Sequence, residues 1–154
     1  MVSRKVTWGL LAAWMVHDAE ELLTMAKWTR KNLPERFAQS QAHVNVSIGL
    51  MGGVIAAASA AGAATEGRNG FFRAALAGFG LHGVIHLAQA AAMRRYTPGV
   101  VTAPLVVIPY SVWAWRQLEE SDARKSSLWG LAMLPAALAG VHGIAHLVTS
   151  RRSS

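Results

Sequence analysis

Residues 43–64 read HVNVSIGLMGGVIAAASAAGAA, and beyond the opening turn no face of this run is polar. A helix on the surface of a soluble protein needs a polar face, so this one belongs in an apolar surrounding. Crossing a bilayer takes about 20 residues of helix, and the run has that length. Working outward, four more segments come close: 6–27, 71–93, 100–115 and 128–149. The fold expected is all-α, an integral membrane bundle of about five transmembrane helices forming a single domain over 1–154. The alternative is a soluble helical bundle. Punctuation falls between the segments, at Lys27 to Gln41 with Pro34, Glu66 to Asn69, Arg94 to Gly99, and Arg116 to Ser127. The fourth segment holds Pro104 and Pro109 and should be kinked or irregular.

Composition supports that frame. The chain is 53% hydrophobic but only 8% aromatic, with alanine and glycine supplying much of the rest, as in closely packed membrane helices. Its net charge of +7 could point to nucleic acid. The arginines and lysines, however, lie between apolar runs and at the termini, where they suit phospholipid headgroups, so no nucleic-acid partner is expected. Tryptophans 8, 28, 113, 115 and 129 stand near segment ends, as an interfacial belt would place them. With no cysteine, disulfides and thiolate chemistry are excluded, and any metal must be held by nitrogen and oxygen. The basic start is followed by an apolar run broken by His17, Asp18, Glu20 and Glu21, so it reads as a retained first helix rather than a cleaved leader.

Orientation is nearly balanced. The side holding the N-terminus carries Arg4, Lys5, Arg68, Arg73, Arg116, Arg124 and Lys125. The opposite side carries Lys27, Arg30, Lys31, Arg36, Arg94, Arg95, Arg151 and Arg152. The positive-inside rule leans toward the second side facing the cytoplasm.

The chemistry lies in polar residues set within apolar runs. The first segment contains His17-Asp18-Ala19-Glu20-Glu21. An ionised carboxylate at bilayer depth costs about 2.5–3.5 kcal/mol on insertion scales, so it needs a partner and invites a functional reading. At about 100° per residue, His17, Glu20 and Glu21 share one arc and Asp18 points elsewhere. Residues 80–87 (GLHGVIHL) and 140–147 (GVHGIAHL) repeat one pattern sixty positions apart. Histidines at i and i+4 stack about 6 Å apart on one helix face, and the glycine between them permits close helix contact. His17, Glu21, His82, His86, His142 and His146 fall at similar depth along their segments, in the half opposite the N-terminus, and His43 opens its helix toward the same level. Eight ligands follow: His17, Glu20, Glu21, His43, His82, His86, His142 and His146. That number suits two divalent metal ions with a bridging carboxylate. His43 reads equally well as a satisfied core histidine. Asp18, Asn45 and Gln89 are candidate outer partners, or ordinary helix–helix hydrogen bonds.

His17-x-x-Glu20-Glu21 near the N-terminus, followed by two His-x-x-x-His pairs in later hydrophobic helices, resembles the HXXEE-motif family of small bacterial membrane proteins. The resemblance covers essentially the whole chain. It implies a membrane metalloprotein with ligands at His17, Glu20, Glu21, His82, His86, His142 and His146; His43 is outside the match, and no substrate is supplied. A second likeness, of ligand chemistry alone, is to the histidine boxes of membrane desaturases and hydroxylases with two irons.

The function expected is that of a membrane-embedded metalloenzyme in the cytoplasmic membrane, acting on an acyl or isoprenoid substrate, with Glu20 and Glu21 as catalytic groups. Two irons serving oxidative chemistry are favoured over two zincs serving hydrolysis. A metal-ion transporter is the third reading; it would need ligands spread along a path through the bilayer. Glycine-rich faces allow a homodimer.

Overall fold

The computed structural model describes residues 2–118 and 139–150. Its order is α1 (Arg4–Asn32), a 3₁₀ turn (Glu35–Phe37), α2 (Gln41–Ala64), α3 (Gly70–Met93), a π-helical segment (Ala103–Val107) running into α4 (Ile108–Gln117), and helix over 139–150, α5. The described residues contain no strand.

Each long helix starts on a side chain that accepts from its orphan N–H groups. Ser3 accepts from the N–H of Lys5, Ser40 from that of His43, and Asn69 from those of Phe71 and Phe72. α1 does not stop at Lys27, as the sequence suggested, but runs to Asn32. Trp28 and Thr29 are buried and hold the extra turn against the fold. Arg30 and Lys31 complement the C-terminal end of the helix dipole, and Pro34 then forces its predecessor into extended backbone. α3 ends at Arg94 in the left-handed region, φ 49°. The fourth segment is irregular, as its prolines suggested. Neither Pro104 nor Pro109 has an N–H to give, and the ladder widens to π spacing over Ala103–Val107 before α4 resumes.

α1 packs on α2 most extensively and also meets α3 and the 103–117 stretch. Val6, Leu10, Ala13 and Trp14 form its contribution to the core, against Ile55, Phe72, Leu76, Phe79, Val107 and Ala114. The core thus fills the N-terminal half of α1, and the buried side of the helix turns polar at His17, Asp18 and Glu21. At one end of the bundle the N-terminus, the 65–69 turn and the end of α4 meet. A Cβ on Gly67 (φ +79°) would stand 2.8 Å from Leu118 and 3.3 Å from Val2. At the other end the last turns of α1 meet the 94–102 connection, with Arg95 donating to Asn32 Oδ1 at 2.9 Å.

Among the described residues two elements, Glu35–Ala64 and Gly70–Met93, are long and apolar enough to cross a membrane. That is fewer than the five expected from the runs alone. α1 has the length, but Asp18, Glu20 and Glu21 interrupt it; Ala103–Gln117 reaches only about 22 Å at 1.5 Å per residue. Half of the fifth span, residues 128–138, lies outside the described residues. Two of the flank assignments also change. Trp28 is buried and donates its indole N–H to the Tyr96 carbonyl at 2.7 Å. Arg73 is 2% exposed, with Nε donating to the Gly67 carbonyl at 2.8 Å, so it secures a turn rather than facing headgroups.

Candidate metal centre

On α1, His17 and Glu21 stand one turn apart on the same line and face α3, where His82 and His86 repeat that spacing. One ligand atom from each of His17, Glu21, His82 and His86 lies within 4.8 Å of the other three. His86 Nε2 is 2.9 Å from His82 Nε2 and 3.1 Å from Glu21 Oε1. The His17 ring meets both others edge-on, with centroids 5.2 Å from His82 and 4.9 Å from His86. His17 is wholly buried, and its Nε2 has no hydrogen-bond partner. Such an atom, deep in a protein and set among two other imidazoles and a carboxylate, is what a cation-binding site needs and what a mere structural glue would avoid. The donor set of three nitrogens and one oxygen suits a divalent transition metal.

The first glutamate of the motif does something else. About 60° round the helix from His17, Glu20 faces the 94–102 connection and is filled by it. Oε1 accepts from the Tyr96 hydroxyl at 2.8 Å and the Val101 N–H at 3.4 Å. Oε2 accepts from the Thr102 N–H at 2.9 Å and the Thr102 hydroxyl at 2.7 Å. The arc that held His17, Glu20 and Glu21 together in sequence is therefore split between two neighbours, and Glu20 is not among the four clustered ligands. Burial first, with the adjoining Glu20 carboxylate, holds the Tyr96 phenol above its ordinary range, so it remains a donor to that carboxylate.

The connection also presses on the cluster. Gly99 has φ +84°, and a Cβ there would lie 2.7 Å from His86 Cε1 and 2.9 Å from His17 Cε1. Only glycine allows both the backbone turn and the approach. Gly83, between the two α3 histidines, lets α3 close onto the π segment, a Cβ there standing 2.8 Å from Val107 Cγ1.

Asp18 does not point away from the site, as its place off the ligand arc suggested. It lies about 60° beyond Glu21, is 7% exposed, and with Glu21, His82 and His86 forms one end of a cavity of about 620 Å³. The rest of the lining is mostly apolar, with Trp14, Met51, Ile55, Phe71, Phe79 and Ile85, and it also includes Gln39, Ser47 and Gln89. His142 lines the cavity as well. It stacks on His43 with centroids 5.3 Å apart, and His43 Nε2 is 3.1 Å from His142 Nδ1. His142 and His146 are exposed, so these histidines form a second grouping beside the four-residue cluster and not part of it. Gly143 meets nothing within 4 Å, unlike its counterpart Gly83. Asn45 is exposed and accepts from Gln41 Nε2 at 2.9 Å, which ties two residues of the same helix rather than supporting a ligand.

Thr102, Tyr96 and Gly99 were missed in the sequence. Nothing local marks them, because their importance comes from the connection folding back over residues some 80 positions earlier. The one available sign was Pro98-Gly99 in a short link between apolar runs, which marks a turn but not what it covers.

No curated protein and no solved structure matches the chain. A family model does match, over residues 8–114, and its description is "Protein of unknown function with HXXEE motif". The matched span holds His17, Glu20, Glu21, His82 and His86, together with the connection that joins them, and the chain belongs to the HXXEE-motif family.

Proposed function

We propose that this chain is a membrane-embedded metalloenzyme whose ion is held by His17, Glu21, His82 and His86 and whose substrate is a lipid-like molecule with an acyl or isoprenoid tail. The observation that carries this reading is the junction of the two features: a compact His/Glu cluster lining a cavity whose other walls are mostly apolar. A polar head seated at the cluster would leave its tail among Trp14, Met51, Ile55 and Phe71. A sugar or nucleotide would find few partners along the apolar walls.

The distribution of polarity supports a bilayer surrounding. Leu23 is 80% exposed and Leu105 71%, and Met15, Val16, Val84 and Ile85 are also exposed, while His17, Asp18, Glu21, Ser59, Arg73 and His86 are buried. A soluble helical protein of this size would show the reverse. Taking Arg73 out of the basic count at the N-terminal end strengthens the lean toward the 33–40 and 94–102 connections facing the cytoplasm.

Bound iron would supply oxidative chemistry and bound zinc Lewis-acid activation of water. Iron is the first reading, on the likeness to histidine-box enzymes, and hydrolysis with zinc the second, since three imidazoles and a carboxylate serve either metal. The chain's own part is clearer. Glu21 and Asp18 line the cavity end, where they can hold or move a proton at the substrate head. Glu20 accepts from four donors and is not free for that task. A second ion would draw on His43, His142 and His146. Transport ranks below catalysis, because the ligands gather in one group rather than forming a path.

The test is metal analysis of protein purified in mild detergent without chelator. One or two equivalents of iron or zinc are expected, lost in His82→Ala and His86→Ala variants that still elute as the wild type does. Protein that takes up neither metal after reconstitution would remove the reading.

A further inference from the structure

The first metal-ligand candidate in the chain has a second ring nitrogen, and that nitrogen is occupied. His17 Nδ1 lies 2.8 Å from Thr102 Oγ1, and Thr102 Oγ1 lies 2.7 Å from Glu20 Oε2. The directions of these bonds follow from what each group can do. A carboxylate only accepts, so the threonine hydroxyl donates its one proton to Glu20. Its oxygen is then an acceptor toward His17, and the proton between them sits on Nδ1. A neutral imidazole carries one N–H, so Nε2 is left with its lone pair exposed. That is the same atom that is buried without a hydrogen-bond partner, on a ring that belongs to the four-residue cluster. The Gly99 carbonyl is a competing acceptor for the threonine proton at 3.4 Å, but it is longer and uncharged, and the carboxylate prevails.

We infer that Thr102 is a positioning residue that, backed by Glu20, locks His17 in the Nδ1–H tautomer so that Nε2 is presented to the metal. The motif's two glutamates then divide the work: Glu21 joins the cluster, and Glu20 fixes the tautomer of its partner through a threonine supplied 82 positions later. Backbone N–H groups of Val101 and Thr102 and the Tyr96 hydroxyl hold Glu20 in place, so the relay is oriented before any ion arrives. This deepens the metal reading of the same site. Outer partners of this kind commonly change metal affinity about 10- to 100-fold when removed.

The experiment compares wild type, Thr102→Val and Thr102→Ser, each as the full chain in detergent with ¹⁵N-labelled histidine. Valine keeps the shape of threonine and cannot bond His17; serine restores the hydroxyl. In the metal-free proteins, ¹⁵N–¹H correlation spectra should show His17 protonated at Nδ1 in wild type and in Thr102→Ser, and a shift toward the Nε2–H form in Thr102→Val. Competition titrations with zinc(II) alone should give a dissociation constant about 10- to 100-fold weaker for Thr102→Val, with Thr102→Ser within a few-fold of wild type. An Nε2–H tautomer in wild type, or a Thr102→Val protein with unchanged tautomer and unchanged affinity, would overturn the assignment. Wild type that shows the Nδ1–H tautomer yet binds no zinc would sink the metal reading while leaving the relay standing, so the two failures are told apart.

Discussion

At the scale of single residues, the protein shows how two adjacent identical side chains acquire different jobs from one helical step. Glu20 and Glu21 are separated by about 100°, enough to send one to the 94–102 connection and the other to α3. Their amides should therefore fail differently. Glu21→Gln removes a charged donor from the cluster and should weaken zinc binding beyond the roughly 10- to 100-fold that outer partners cost. Glu20→Gln keeps all four clustered ligands but replaces one acceptor oxygen with a donor, facing N–H and O–H groups that need acceptors. It should raise hydrogen exchange across 94–102 more than it reduces zinc affinity. If Glu20→Gln abolishes binding and Glu21→Gln spares it, the assignment of the two glutamates is reversed. Gly99 offers a second test at this scale. Gly99→Ala combines an unfavourable positive φ (about 1–2 kcal/mol) with a Cβ 2.7 Å from the His86 ring. A fall in both thermal stability and zinc affinity is expected, and wild-type values for both would show that the connection does not press on the cluster.

At the scale of elements, the repeated Gly-x-His-Gly-x-x-His pattern makes an internal control. Gly83 and Gly143 occupy the same position in the two copies, yet the first meets Val107 and Ile108 and the second meets nothing within 4 Å. Gly83→Ala must push Val107, a fully buried side chain, and should destabilise by about 1–3 kcal/mol, the usual cost of overpacking. Gly143→Ala should be neutral or slightly stabilising, since alanine is the better helix former. Equal melting shifts in the two variants would contradict the packing described. The same contrast shows what could be learned from the chain before folding. Apolar length placed α2 and α3 to within two residues, because hydrophobic runs are local. The proline-rich irregularity of 100–115 was equally local. The extension of α1 to Asn32 was not, since it depends on Trp28 reaching Tyr96 on a distant connection. Equivalence of the two histidine pairs was the natural inference from identical patterns, but α3 is packed beside α1 and brings its pair to His17 and Glu21, whereas His142 meets His43. Spacing determines which residues share a face, and packing determines what that face meets.

At the scale of the whole molecule, a polar cluster is buried beside the apolar core while many large apolar side chains face outward, and the two ends of the bundle are defined by contacts. Val2, Gly67 and Leu118 gather at one end and Asn32, Arg95 and Tyr96 at the other. If the outward apolar surface meets lipid, these ends face opposite sides of a membrane. The natural absence of cysteine makes this directly measurable, because any single introduced thiol is the only one. Ser3 and Arg68 are exposed at the first end, and Arg36 and Arg94 at the second. Four variants, Ser3→Cys, Arg68→Cys, Arg36→Cys and Arg94→Cys, would be treated with a membrane-impermeant maleimide in intact cells and in inverted vesicles. Cysteines at 3 and 68 should label together from one side and those at 36 and 94 together from the other. The basic side chains that crowd the second end further predict that 36 and 94 are the pair reached in inverted vesicles, since cytoplasmic loops carry the excess of lysine and arginine. Replacing two of those basic residues should not alter the pairing, because the pairing follows from helix packing, but it should weaken the preference between the two orientations. Labelling of all four sites from the same side would mean that the bundle does not span, and the exposed Leu23, Leu105 and Val84 would then have to be covered by protein rather than lipid.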